Sequence, residues 1–147
     1  MTYVNNLGDV GQGDVALAGG KAVGLGGLIQ AGLPVPQGFV LNTAGYAEFV
    51  GANHLEADIR ALATLSPQAS PQDYEDASGR IRALFTRGTM PSAIEAELGA
   101  AYGRLGHGNA AVAVRSSATA EDLASASFAG QQETYLNVVG PEALHAA

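Results

Sequence analysis

A chain of 147 residues, 47% of them hydrophobic, has room for one domain with a real core but not for two, and is too apolar for a disordered segment. Seven basic residues, dispersed among fourteen acidic ones, give a formal net charge of −7 and argue against nucleic acid or an anionic membrane as a partner. The absence of cysteine removes disulfides, thiolate metal sites and a cysteine nucleophile, and no leader pattern or apolar run approaching ~18 residues is present, which is the pattern of a soluble cytoplasmic protein.

In chain order, residues 2–7 predict a short strand, followed by a loop bearing Gly8, Gly11 and Gly13. The segment Gly19-Gly20-Lys21-Ala22-Val23-Gly24-Leu25-Gly26-Gly27-Leu28-Ile29 predicts a glycine-rich helix ending near Gly32. Val23, Leu28 and Ile29 form its buried side, with Leu25 less well placed. A glycine inside a helix costs up to ~1 kcal/mol relative to alanine, so these demand close packing against a sheet or close approach to a ligand. Lys21 follows a glycine pair at the helix start and is a candidate phosphate ligand, because helix N-termini aim N–H groups at anions. A solvated lysine is the alternative reading. The spacing is not that of a Walker A loop, and the Gly-x-Gly at Gly24 and Gly26 lacks the rest of a dinucleotide fingerprint.

Leu33-Pro34-Val35-Pro36-Gln37-Gly38 is a rigid extended link and Phe39-Val40-Leu41 a buried strand, with Thr43 capping a short helix that runs to Val50. Helix, strand and helix in succession predict the α/β class, with α+β the neighbouring possibility. Residues 54–106 then turn helical. Leu55, Ile59, Leu62 and Leu65 fall at helical spacing, and Ser70-Pro71-Gln72-Asp73 is a helix start with serine as cap and proline at the first position. Tyr74, Ala77, Ile81, Leu84 and Phe85 mark one face of that helix. Pro91 opens a third, with Ile94, Leu98, Ala101, Tyr102 and Leu105 in register. Arg80, Arg82, Arg87, Glu95 and Glu97 fall mostly off these stripes, and no chemistry is expected from this section. His54, His107 and His145 are isolated, with neither metal-ligand spacing nor a catalytic dyad.

The most informative stretch covers residues 112–137. Val112-Ala113-Val114-Arg115 is a β-prone run that delivers one arginine into a loop of small and hydroxylated residues, and residues 133–139 form a second β-prone run. A guanidinium at a strand end, beside exposed N–H groups and the hydroxyls of Ser116, Ser117 and Thr119, suits an anion with many oxygens, and phosphate is the usual one. A polar Ser/Ala-rich surface loop accounts equally well for the same residue types. Gly140-Pro141 starts a further helix, inside which the sequence stops uncapped, the mark of a larger protein cut short.

Four blocks together resemble a known family. Gly19-Gly20-Lys21, Leu33-Pro34-Val35-Pro36-Gln37-Gly38-Phe39, Val114-Arg115-Ser116-Ser117-Ala118-Thr119-Ala120-Glu121-Asp122 and Ser127-Phe128-Ala129-Gly130-Gln131-Gln132-Glu133-Thr134-Tyr135-Leu136-Asn137 resemble the N-terminal nucleotide-binding region of the phosphoenolpyruvate synthase (pyruvate, water dikinase) family of PEP-utilising enzymes. The rifampin phosphotransferases share these blocks. Where the family usually carries proline and a variable, often acidic, residue, this chain has Ala124-Ser125.

The resemblance implies the N-terminal part of an ATP-grasp domain, a small sheet with a helical cap. Here residues 1–52 would be a lysine-bearing α/β segment, 53–106 the cap, and 107–147 a strand–loop–strand with the phosphate-binding loop. It implies ATP as ligand, with magnesium held by acidic residues outside this chain. ATP would give its β-phosphate to a histidine on a swivelling domain, which passes it to pyruvate, while the γ-phosphate goes to water. Position by position, Lys21 and Arg115 would contact the ATP phosphates and Gly130 and Thr134 would line the nucleotide site. The loop of residues 116–129, with Ser116, Ser117 and Thr119, would lie over or beside the phosphates. His145 lacks the glycine-rich and Thr-Ser residues that precede the family's phosphohistidine, so its likeness to that histidine is a coincidence. With half of the cleft and the phosphohistidine domain outside it, the chain alone is expected to bind ATP weakly or undetectably and not to turn over. The alternatives are the same part of a rifampin phosphotransferase-like enzyme, and a standalone module that binds a nucleotide or partner without catalysis.

Overall fold

The computed structural model describes residues 1–119 and 134–147. Among these residues, helices are combined with short strands that pair into two antiparallel two-stranded sheets, a mixed α/β architecture. The chain divides into two units, one of Met1–Tyr46 with Ser92–Ala147 and one of Ala47–Pro91.

In the first unit, β1 (Val4–Asn6) pairs with β2 (Phe39–Leu41) in the register Val4↔Leu41, Asn5↔Val40, Asn6↔Phe39. The expectation of a buried second strand needs correction, because Phe39 and Val40 are only half-buried and Leu41 is exposed: a two-stranded sheet has too few neighbours to cover both faces. Helix α1 (Val15–Gln30) ends as the sequence suggests. Gly32, at φ +77, donates to the Ile29 carbonyl at 2.9 Å and Leu33 donates to that of Leu28 at 3.0 Å, the paired bonds of a Schellman motif.

On the buried side of α1, Val23 and Ile29 pack as expected but Leu28 does not. Leu28 is 43% exposed, and the packed stripe is Ala18, Ala22, Val23 and Gly26, with Leu25 and Ile29 partly buried against the core of Leu7 and Val10. The reason is steric. A Cβ on Gly26 would run into the Val10 carbonyl oxygen and stand 2.7 Å from that of Leu7, so the helix presses its bare backbone onto the turn at residues 7–10 and faces its small residues inward. Gln30 Nε2 reinforces this contact, donating to the carbonyls of Gly8 at 3.3 Å and Val10 at 3.1 Å.

Helix α2 (Thr43–Ala52) is capped by Asn42 rather than by Thr43. The Asn42 Oδ1 accepts the N–H groups of Ala44 at 3.0 Å and Gly45 at 3.1 Å, while its amide donates to the Thr2 carbonyl at 3.0 Å and to Asn5 Oδ1 at 2.8 Å. All four bonds of a buried amide are thereby made. Thr43 turns away, its hydroxyl donating to the Ala16 carbonyl at 3.1 Å.

Helix α5 (Ser92–Arg104) belongs to the same unit and carries the expected stripe, with Ile94, Leu98, Ala101 and Tyr102 buried. Glu97 is not idle as supposed: its Oε2 accepts the N–H groups of Tyr3 at 2.8 Å and Val4 at 3.0 Å at the start of β1. Tyr102, only 1% exposed, donates its hydroxyl to the Ala110 carbonyl and accepts the Gly140 N–H, each at 2.7 Å. One buried hydroxyl thus fixes the chain just before β3 (Val112–Arg115) and just after β4 (Thr134–Val138), which pair antiparallel. Helix α6 (Pro141–Ala146) follows, with proline in its first turn.

In the second unit, α3 (Glu56–Ala63) and α4 (Pro71–Arg87) follow the sequence pattern, although Leu65 lies past the end of α3. Ser70 Oγ accepts the Asp73 N–H at 3.2 Å, and Asp73 Oδ2 accepts the Ser70 hydroxyl at 2.8 Å and its N–H at 2.7 Å. This capping box holds the exposed Asp73 carboxyl below its ordinary pKa, chiefly through the Ser70 hydroxyl and then through its N–H. Phe49 and Phe85 stack at 5.5 Å between ring centres.

Candidate phosphate-binding site

The helix that carries Lys21 is interrupted just before it. Gly19 has φ 78 and ψ 166 inside α1, a conformation essentially confined to glycine. Such a break leaves the Ala18 carbonyl and the first N–H groups of the following turn without helical partners. The loop after β3 supplies them. Ser117 Oγ donates to the Ala18 carbonyl at 2.9 Å and accepts the Ala22 N–H at 3.4 Å, and the Gly20 N–H donates to the Ala118 carbonyl at 3.2 Å. A Cβ on Gly19 would overlap Ser117 Oγ and stand 2.9 Å from the Ser117 carbonyl carbon. Glycine is therefore required twice, for its backbone angles and for its bare Cα.

Lys21 sits within this bonded stretch, half-buried on the first turn after the break. Arg115 ends β3 and pairs with Thr134, which begins β4. Directly opposed residues of an antiparallel pair project to one face, with Cβ atoms about 4.5–5.5 Å apart. Arg115, Thr134, Ser116 and Thr119 are exposed and Ser117 is half-buried. Gly130 and the remainder of the loop at residues 120–133, Ala124 and Ser125 included, lie outside the described residues.

The structure thus ties the strand end bearing Arg115 to the helix turn bearing Lys21 through residues 117 and 118, and sets Thr134 beside Arg115. A planar guanidinium can bind phosphate oxygens in pairs, an ammonium acts as a point charge, and both together suit a polyphosphate. Sequence reasoning placed a helix start at Gly19-Gly20 and flagged the hydroxyls, but it missed the Ser117 contacts with Ala18 and Ala22. The glycine pair was the available signal, since a non-helical glycine ahead of a lysine announces a break.

Other features stand apart in chemistry. No group of three His, Cys, Asp or Glu residues that could hold a metal occurs among the described residues. His145 lies on α6 with Nδ1 4.0 Å from Glu95 Oε1. Surface pockets of about 230 Å³ and 470 Å³ lie along α3 and α4, and none of the anticipated site residues lines either. No helix among the described residues is long and apolar enough to cross a membrane.

The family described as "Pyruvate phosphate dikinase, AMP/ATP-binding domain" matches residues 15–147, the region that contains both the Gly19 break and the β3–β4 pair. The chain belongs to this family. As a member of the pyruvate phosphate dikinase AMP/ATP-binding family, it is 45% identical over 141 residues to a phosphoenolpyruvate synthase of Aeropyrum pernix, covering 92% of this chain and 17% of that relative. A probable phosphoenolpyruvate synthase of Methanothermobacter thermautotrophicus is 39% identical over 146 residues, 97% of this chain and 21% of the relative. A rifampicin phosphotransferase of Streptomyces sviceus is 41% identical over 144 residues, 97% of this chain and 16% of the relative. The chain therefore spans about a fifth or less of the length of these relatives. The family description names AMP and ATP, in agreement with the nucleotide read from the sequence.

Proposed function

We propose that this chain forms the triphosphate side of the ATP site in a phosphoenolpyruvate synthase-like dikinase. The reading is that ATP gives its β-phosphate to a histidine of another domain, which passes it to pyruvate, and its γ-phosphate to water. Lys21 and Arg115 neutralise charge on the phosphates, Thr134 and Gly130 line the nucleotide, and Ser116 and Thr119 edge the phosphate loop. Magnesium would be held by acidic residues in the remainder of the relatives' length. Phosphoryl transfer asks a protein mainly for positioning and charge stabilisation, and these residues offer both.

The observation that carries the reading is the bonded junction between residues 18–22 and 117–118, which holds the lysine turn against the segment that follows the arginine. The rifampicin phosphotransferase match over 97% of the chain supports a second reading, in which the phosphate goes to an antibiotic hydroxyl. In a full-length protein carrying this segment, Arg115→Ala should abolish labelling of the histidine by ATP tagged at its β-phosphate. Because Arg115 is exposed, stability should change by no more than about 0.5 kcal/mol. Wild-type labelling by that variant would remove Arg115 from the site, and supplying pyruvate or rifampicin as acceptor separates the two readings.

A further inference from the structure

We propose that Ser117 is a positioning residue that fixes Lys21 relative to Arg115, not a phosphate ligand. The inference rests on the reading of Lys21 and Arg115 as phosphate contacts. A serine hydroxyl has one proton to donate and two lone pairs to accept with. Backbone carbonyls only accept, so the 2.9 Å contact with the Ala18 carbonyl consumes the one proton of Ser117. What remains is acceptor capacity, part of which the Ala22 N–H takes at 3.4 Å. An ionised phosphate oxygen needs donors, so Ser117 has nothing to offer it while the clamp is closed.

The same contacts explain what Ser117 does instead. It takes up the two groups that the Gly19 break orphans, one on each side of Lys21, and the adjacent Ala118 carbonyl takes a third from Gly20. One residue, Ser116, separates Ser117 from Arg115 along the chain, so the clamp sets the spacing between ammonium and guanidinium. Without it the turn is free to fray at a residue whose backbone only glycine adopts. Ser117 is half-buried against α1, whereas Ser116 and Thr119 of the same loop are exposed.

The test is a double-mutant cycle in a full-length protein carrying this segment, with tripolyphosphate affinity measured by calorimetry and amide hydrogen exchange measured alongside. Ser117→Ala should accelerate exchange at the Ala22 amide and weaken tripolyphosphate binding, each on the order of fivefold. Lys21→Met should weaken binding while leaving Ala22 exchange unchanged. In the Lys21→Met background, Ser117→Ala should cost nothing further, because a residue acting through Lys21 has nothing left to position. Additive losses in the double variant would make Ser117 a direct ligand and overturn the proposal. So would unaltered binding by Ser117→Ala with only a lowered urea midpoint, which marks a purely structural role. If Lys21→Met and Arg115→Ala both bind tripolyphosphate as the wild type does, the phosphate reading itself fails and the positioning role with it. Ala22 exchange in Ser117→Ala then reports separately on whether the clamp exists.

Discussion

Replacing Gly19 by alanine tests the junction most directly. The residue would have to hold φ 78 and ψ 166, which costs an L-residue about 1–3 kcal/mol. Its Cβ would also overlap Ser117 Oγ and approach the Ala118 nitrogen to 3.0 Å, so the loop must withdraw from α1. Withdrawal breaks the three hydrogen bonds that join residues 18–22 to residues 117–118, each worth about 0.5–1.5 kcal/mol, with the 3.4 Å bond at the low end. The smaller unfolded-state entropy of alanine returns about 0.4–1 kcal/mol. The net loss is about 1.5–6 kcal/mol, a large share of the ~5–15 kcal/mol that holds a typical domain together. Urea unfolding followed by circular dichroism measures the loss, and amide exchange at Gly20 and Ala22 locates it. Adding Ser117→Ala to Gly19→Ala removes only the overlap with Oγ and should restore a minor part of the loss. A Gly19→Ala chain within about 0.5 kcal/mol of wild type would refute both the strain and the contact argument.

The glycines of α1 should split by position. Gly26→Ala meets the Val10 and Leu7 carbonyls and should destabilise by about 1–3 kcal/mol, whereas Gly24→Ala and Gly27→Ala meet open space and should stabilise the chain by up to about 1 kcal/mol in the same assay. Tyr102→Phe strands the half-buried Ala110 carbonyl and Gly140 N–H and should cost about 1–2 kcal/mol, with exchange at Gly140 rising. At the start of α4, the Asp73 carboxylate has a folded pKa depressed below 3.8, so its stabilisation is fully present above 3.8 and is lost as pH falls through the folded value. Ser70→Ala should raise the Asp73 titration midpoint measured by NMR, and an unchanged midpoint would deny Ser70 that role.

Local rules were written plainly in the sequence. Ser70, Pro71 and Asp73 announce α4, Pro91 with the Ile94–Leu98–Tyr102 spacing announces α5, and two β-prone runs flanking a small-residue loop announce β3 and β4. Each depends on neighbours within a few residues, where spacing and propensity act. The failures involve partners far away in the chain. Leu28 fits a helical apolar face, but with Gly26 pressed onto Val10 the packed stripe runs through Ala22, Val23 and Gly26 and leaves Leu28 exposed. Thr43 is an acceptable cap, yet Asn42 takes the role because its amide also reaches Thr2 and Asn5 across the sheet. Glu97 reads as a solvated acid until β1 arrives beside it. At the site, residue types marked Lys21, Arg115 and the hydroxyls. Which hydroxyl already has its proton committed depends on a fold that brings residue 117 to residue 18.

The break at Gly19 also dictates an order of events as the chain is made. Ser117 lies 99 residues after Ala18 and 95 after Ala22, so the partners of that turn are synthesised long after the turn itself. At about 5–20 residues per second the interval is roughly 5–20 s, during which water occupies the Ala18 carbonyl and the Ala22 N–H. Regular helix beyond the break can form within microseconds, but a closure across so long a loop waits for the distant strand. The lysine turn is translated well before the residues that complete it.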